Sequence, residues 1–235
     1  MERHLRAVQR ALASRDVRRG RRDDEVLQLV LRLCLPIDAD CLDVGASVGA
    51  ILSSIVDAAP LGRHVAYEPL PDLARALAIR FPQVDVRAAA VARETGTRSF
   101  VRVLGTHALS GFHDGGYRAS ATETLTVPVE ALDMALPRGF APSFVKIDVE
   151  GSELEVIEGA VEMLSRSRPI LALEHGGPAD GAIAAHPDTT RRIWQILCRD
   201  VGLRAFDLDG ERVVDERALL TRVASRKYCN FLFHP

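Results

Sequence analysis

Cys41 to Val44 is a short apolar run that ends in Asp43-Val44-Gly45-Ala46-Ser47-Val48-Gly49. Glycines at the carboxyl end of a strand let a ligand approach the backbone and seat it at the N-terminus of the next helix. The spacing of Gly45 and Gly49 is GxxxG, not the GxGxxG of a dinucleotide cradle, and a carboxylate precedes the first glycine. A pyrophosphate needs amides and tight glycine packing. An amino-acid group carrying an ammonium also needs a carboxylate, which Asp43 supplies. The plainer alternative is that Asp43 serves only its neighbouring backbone amides.

Twenty-five residues after Asp43, a second run ends in Tyr67-Glu68-Pro69-Leu70. An acid at this place accepts hydrogen bonds from ribose hydroxyls in doubly wound folds, and Pro69 and Leu70 can flank a flat adenine. Acids often end strands, so Glu68 alone says little. Paired with Asp43 to Gly49 at this distance, it describes a site for S-adenosylmethionine.

A second block reads Phe144-Val145-Lys146-Ile147-Asp148-Val149-Glu150-Gly151-Ser152-Glu153-Leu154-Glu155. Asp148 and Glu150 are two apart and point to one side of an extended strand, at its carboxyl end. Crowded carboxylates are costly without a cation, a substrate proton or a donor, and Lys146, in phase with both, is one such partner. Ser152 and Glu155 have capping-box spacing. The next strand ends Glu174-His175, and His175 is the first choice as general base because an imidazole titrates near neutrality. Asp148 and Glu150 are the other catalytic candidates. A divalent cation on Asp148 and Glu174, lowering a hydroxyl's pKa, is the less favoured alternative.

These residues need rigid strand ends, and the pattern supplies them. Strands are expected at Cys41–Val44, His64–Glu68, Val84–Val91, Ser143–Val149 and Ile170–Glu174. Helices are expected at Ala50–Ala58, Pro71–Phe81, Ser152–Leu164 and Thr189–Val201. Alternation of this kind implies an α/β doubly wound, mostly parallel sheet covered on both faces. Arg98–Leu104 and Thr124–Val129 are strand-like and flank an insert with His107, Ser110, His113 and Gly115-Gly116, a candidate lid over the acceptor. Leu203–Leu208 and Lys227–Phe233 read as an antiparallel pair at one sheet edge.

With 235 residues, 47% hydrophobic and 26% charged, the chain can bury one domain's core. Residues 1–37 read as an N-terminal helical arm and 38–235 as the catalytic domain. The net charge of −2 gives no electrostatic reason to expect nucleic acid. Charge is uneven, however: residues 1–22 hold eight arginines against Glu2 and Asp16, with Leu5, Val8, Ala11 and Leu12 at helical spacing. Such an arm is a solvated segment, a contact between two subunits of a homodimer, or a membrane-surface contact. No run reaches the roughly 18 apolar residues of a membrane span, and no secretory signal is visible. Cys34, Cys41, Cys198 and Cys229 are scattered, as in a reduced, cytoplasmic protein.

From Asp40 onward the chain resembles FkbM-type S-adenosylmethionine-dependent methyltransferases. The resemblance rests on Asp43-Val44-Gly45-Ala46, Glu68-Pro69-Leu70, Leu132-Asp133, Lys146-Ile147-Asp148-Val149-Glu150-Gly151 with Glu153, Glu174-His175, and Asn230-Phe231-Leu232-Phe233. It implies a class I methyltransferase (Rossmann-like) fold of seven strands with the last antiparallel. It also implies methylation of a small-molecule hydroxyl, on a macrolide, sugar or glycolipid of secondary metabolism. Ser47 stands where relatives usually carry Asn or His, and they often carry Asn near Ala88 or Ala89, beside the adenine. The alternatives are N-methylation, or an inactive cofactor-binding scaffold of the same fold.

Overall fold

The computed structural model describes residues 22–104, 110–112, 121–176, 185–225 and 229–235. The N-terminal positions Leu5 to Leu12 lie outside the described residues, as do His107, His113 and Gly115-Gly116.

Eleven strands are described: β1 (Cys41–Val44), β2 (His64–Tyr67), β3 (Asp85–Arg87), β4 (Ala90–Val91), β5 (Gly96–Val103), β6 (Thr122–Glu130), β7 (Phe144–Ile147), β8 (Ile170–Glu174), β9 (Arg204–Asp207), β10 (Arg212–Val213) and β11 (Asn230–His234). Eight of them form the central sheet, in the order β10-β9-β11-β8-β7-β1-β2-β3. β1 pairs in parallel with β2 and β7, and β7 pairs in parallel with β8. β11 runs antiparallel to both β8 and β9. The expected seven strands are therefore joined by an eighth, β10, antiparallel to β9. Two residues on an edge are too few to show as an apolar run.

Helices cover the sheet. They are α1 (residues 22–34), α2 (Ala50–Ala58), α3 (Pro71–Arg80), α4 (Leu132–Ala135), α5 (Glu153–Glu158), α6 (Val161–Ser167), α7 (Pro187–Trp194) and α8 (Glu216–Ala224). α7 continues as a π-helical segment over Gln195–Asp200. The main core packs Leu42, Val44, Ile147 and Leu171 of the central strands against Ile157 and Ile193 of the helices. Leu27 and Leu31 of α1 are buried with Cys41, Phe144 and Ala172, so this helix is part of the sheet's covering layer. α1 starts at the carboxyl edge of the sheet. There Arg22 pairs with Asp209 at 2.5 Å, and Asn230 Nδ2 donates to Asp23 at 3.2 Å.

Three elements differ from the sequence pattern. The run Val84–Val91 divides, because β3 stays beside β2 while β4 leaves to pair with β6 in a second sheet, β4-β6-β5. The helix expected over Ser152–Leu164 breaks at Gly159-Ala160. A Cβ on Gly159 would sit 2.3 Å from the carbonyl oxygen of Ala92, so the chain there presses on backbone. α6 starts afresh, its Glu162 and Met163 amides donating to the Asp133 carboxylate at 2.9 and 2.8 Å. The connection before β11 contains α8, whose Asp215 cap accepts from Ala218 N–H at 2.7 Å. Among the described residues no helix is long and apolar enough to cross a membrane.

Candidate functional site

The carboxyl ends of β1, β2, β7 and β8 lie side by side, and their closing residues are those the sequence marks. Gly45 has φ +86°, and a Cβ there would stand 1.8 Å from the carbonyl oxygen of Asp148. This glycine lets the β1–α2 loop press directly on the β7–α5 turn. Ser47 also has a left-handed backbone (φ 48°). Four of the loop's amides are already used. Gly45 and Ala46 donate to Tyr67 O, each at 3.0 Å, and Gly49 donates to Ala46 O at 2.8 Å. Ser47 donates to Glu68 Oε2 at 2.9 Å. A pyrophosphate would find four donors spent, which disfavours a nicotinamide dinucleotide.

Glu68 is buried and holds the loop to α3, because its other oxygen accepts from Leu70 N–H at 2.9 Å. Each carboxylate oxygen keeps a second lone pair for ribose hydroxyls. Burial raises its pKa, against the two backbone donors. Leu70 takes part through its backbone. Its side chain is fully buried with Ala90, Phe100 and Val127. Pro69 is half-buried, while Ala46 and Ala89 are core residues. A Cβ on Gly49 would meet Leu77 and Phe81 at 2.7 and 2.8 Å, so this glycine serves the approach of α2 to α3.

Asp43 is 1% exposed, and among the described residues neither carboxylate oxygen has a hydrogen-bond partner. Its register partner on β7 is Lys146, but the Lys146 ammonium donates to Asp148 Oδ2 at 2.7 Å instead. Burial pushes Asp43 up to about 6, Lys146 opposing and Asp148 adding to the rise. The buried Lys146 is itself held above its ordinary range by Asp148 and Asp43, which outweigh its burial. The carboxylates of Asp43, Asp148 and Glu174 outnumber the one ammonium among them, a charge balance that suits a second cation.

Glu150, half-buried, has a left-handed backbone with φ 48°, followed by Gly151 at φ 93°. A non-glycine residue there costs on the order of 1–3 kcal/mol and persists only where its surroundings enforce it. Among the described residues its carboxylate takes no hydrogen bond. Burial, Asp148 and Glu153 push its pKa up to about 8, with Lys146 opposing. Glu174 is likewise raised, first by Asp148 and then by burial.

His175 occupies a different position from that expected of a base facing the acceptor. It is 2% exposed, and both ring nitrogens are engaged, Nδ1 with Glu153 Oε2 at 3.2 Å and Nε2 with Thr190 Oγ1 at 2.9 Å. The capping box does not form either. Ser152 Oγ is buried without a partner, Glu155 pairs with Arg98, and Glu153 Oε1 accepts from Gly151 N–H at 2.6 Å. Ser110 of the insert accepts from Val103 N–H at 3.1 Å and so closes its own hairpin. Glu153 and Thr190 are the contacts that sequence reading missed. The only signal was their place inside a recognised block and near a helix start. Among the described residues no three His, Cys, Asp or Glu side chains are gathered as a metal ion needs.

The family model for the FkbM methyltransferase domain matches residues 43–205. The chain belongs to the FkbM methyltransferase family. A domain of this family is a methyltransferase, and its cofactor is S-adenosylmethionine. A solved FkbM methyltransferase from Methylobacillus flagellatus KT shares the fold, at 18% identity and a TM-score of 0.52. The match covers 86% of this chain and 45% of that one, so the chain spans under half the solved protein's length. A cofactor-bound protein of MTB, Rv0187, aligns at 16% identity over 89% of this chain and 77% of that one, with a TM-score of 0.49. No curated protein matches the sequence closely enough to count as a relative.

The FkbM domain's residues fit that cofactor. An orphaned buried carboxylate is costly unless a donor reaches it, and an amino-acid ammonium is a donor of the kind Asp43 lacks. Glu68, one strand over, keeps lone pairs for the ribose. The close approach that shapes this FkbM pocket depends on Gly45. We expect Gly45→Ala to cost on the order of 3 kcal/mol or more, since a positive φ and a backbone clash add. Gly96→Ala, with nothing within 4 Å, should leave the melting temperature within about a degree. Differential scanning fluorimetry of both variants checks this.

Proposed function

We propose that the chain methylates a hydroxyl oxygen of a small molecule. Bound at Asp43 and Glu68, S-adenosylmethionine supplies a methyl group on an electrophilic sulfonium. The chain's own task is to align and to move one proton. Alignment alone is worth on the order of 7–11 kcal/mol. An aliphatic alcohol must also lose its proton as the new bond forms, and a positioned base adds roughly 10²–10⁴-fold.

The observation that carries this reading is the carboxylate of Glu150, at the rim and, among the described residues, without a hydrogen-bond partner. Asp148 is tied to the Lys146 ammonium, and His175 has both nitrogens occupied. Glu150 is therefore the base we assign, with its Oε accepting the hydroxyl proton. Lys146 offsets part of the negative field around it. A macrolide, sugar or glycolipid hydroxyl is the acceptor class that the family resemblance suggests.

The test is mass spectrometry of a cell extract incubated with the protein and methyl-labelled S-adenosylmethionine. The expected result is a small molecule carrying the label as a methyl ether. Label on nitrogen would overturn the choice of oxygen. Absence of S-adenosylhomocysteine binding at millimolar concentration would overturn the enzymatic reading and leave a scaffold.

A further inference from the structure

We propose that Glu153 is the positioning residue of this rim, holding the turn that carries Glu150, with His175 and Thr190 as its support. The proposal rests on the reading of Glu150 as the base.

Glu150 and Gly151 are consecutive residues with positive φ. The structure around them must enforce that turn, because a glutamate does not adopt it unaided. Glu153 supplies the restraint. Its Oε1 accepts from Gly151 N–H at 2.6 Å, the amide directly after Glu150. Its Oε2 meets His175 Nδ1 at 3.2 Å, and His175 Nε2 meets Thr190 Oγ1 at 2.9 Å. His175 is itself pinned by its own backbone N–H, which donates to Cys229 O at 2.6 Å.

Glu153, His175 and Thr190 are all less than 5% exposed. The chain of contacts joins α5, the end of β8 and α7, three elements fixed in the main core. Gly111 also comes close, because a Cβ there would stand 3.3 Å from Glu150 O. The turn at Glu150 is thus tied through Gly151 and crowded by Gly111, while its carboxylate takes no hydrogen bond among the described residues. Buried networks that are fully satisfied rigidify what they touch, and a catalytic group displaced by an ångström loses much of its rate. This assigns His175 a role through Glu153 instead of at the substrate.

Three variants test the assignment: Glu153→Ala, Glu153→Gln and Thr190→Val. A glutamine oxygen can still accept from Gly151, and its amide can donate to His175. In Glu153→Ala the Gly151 amide should exchange its hydrogen at least about tenfold faster by NMR. The kcat for labelled-methyl transfer should fall about tenfold or more, with the cofactor KM unchanged. Glu153→Gln should restore both. S-adenosylhomocysteine affinity should stay within about twofold throughout, because the network does not touch Asp43 or Glu68. Thr190→Val keeps the side chain's shape, so it reports even if Glu153→Ala fails to fold, and its kcat should fall severalfold.

Normal protection of Gly151 in Glu153→Ala overturns the proposal. So does a glutamine variant as damaged as the alanine one, or a Thr190→Val enzyme with wild-type kcat. Undiminished transfer by Glu150→Gln would instead remove the base, while the Gly151 exchange would still report on the turn.

Discussion

Asp43→Asn should weaken S-adenosylhomocysteine binding about 100-fold while making the protein more stable. The two effects have one cause. The Asp43 carboxylate is buried with no hydrogen bond to either oxygen among the described residues, so in the absence of ligand it is a cost. An amide of the same shape removes the charge and most of that cost. The sign follows from titration. Burial raises the folded-state value to about 6 from 3.8, so the penalty is absent near pH 4, grows as pH rises through this interval, and is complete above it. Lys146 loses one of its neighbouring anions in the variant and the buried amide is itself unpaired, so the net gain should be about 1–2 kcal/mol at pH 8, a rise of a few degrees in Tm. A merely structural aspartate would give the opposite result. Wild-type affinity should also fall about tenfold per pH unit below pH 6, because the ammonium of the ligand needs the ionised form. Calorimetry between pH 5 and 8, beside thermal melts of both proteins, checks all three results. Unchanged affinity in Asp43→Asn would remove this residue from the cofactor site.

The rim was legible because each of its acids ends an apolar run, and runs of that kind become adjacent parallel strands. Asp43, Glu68, Asp148 and Glu174 could be placed at one sheet edge from alternation alone. What was illegible depends on direction and distance. His175 follows Glu174 by one residue, and a one-residue step turns a side chain from the rim to the helix layer. Its partners lie 22 residues before it and 15 after it, and no local pattern joins them. Leu70 shows the same limit. Its apolar side chain suits an adenine face equally well on paper, but a hydrophobic residue goes where most surface is buried, and that is the cluster with Phe100 and Val127. The eighth strand and α8 were lost among turn residues, since a two-residue edge strand and a nine-residue helix that buries Leu219 and Val223 leave little periodicity. The split of Val84–Val91 was hidden because both halves are equally strand-like, and only the presence of β6 draws β4 away.

Glu150→Gln should lower kcat for methyl transfer by roughly 10²–10⁴-fold while leaving S-adenosylhomocysteine affinity nearly unchanged. Glutamine keeps the shape and the left-handed turn but cannot take a proton. The wild-type rate should carry the signature of a raised carboxylate. Burial first, then the like charges of Asp148 just past β7 and Glu153 on α5, hold Glu150 at about 8, and Lys146 opposes them. Below that pH the group is mostly protonated and cannot act as base. The rate should therefore climb about tenfold per pH unit from pH 6 toward 8 and level off above it, and the glutamine variant should show a flat, low profile. The rival base is the His175 imidazole. His175→Gln distinguishes the two: it should lower the plateau by loosening Glu153 and leave the midpoint near 8. If the midpoint vanishes with His175 and survives in Glu150→Gln, the proton goes to the imidazole, and the side chain must turn out of its buried bonds to reach it.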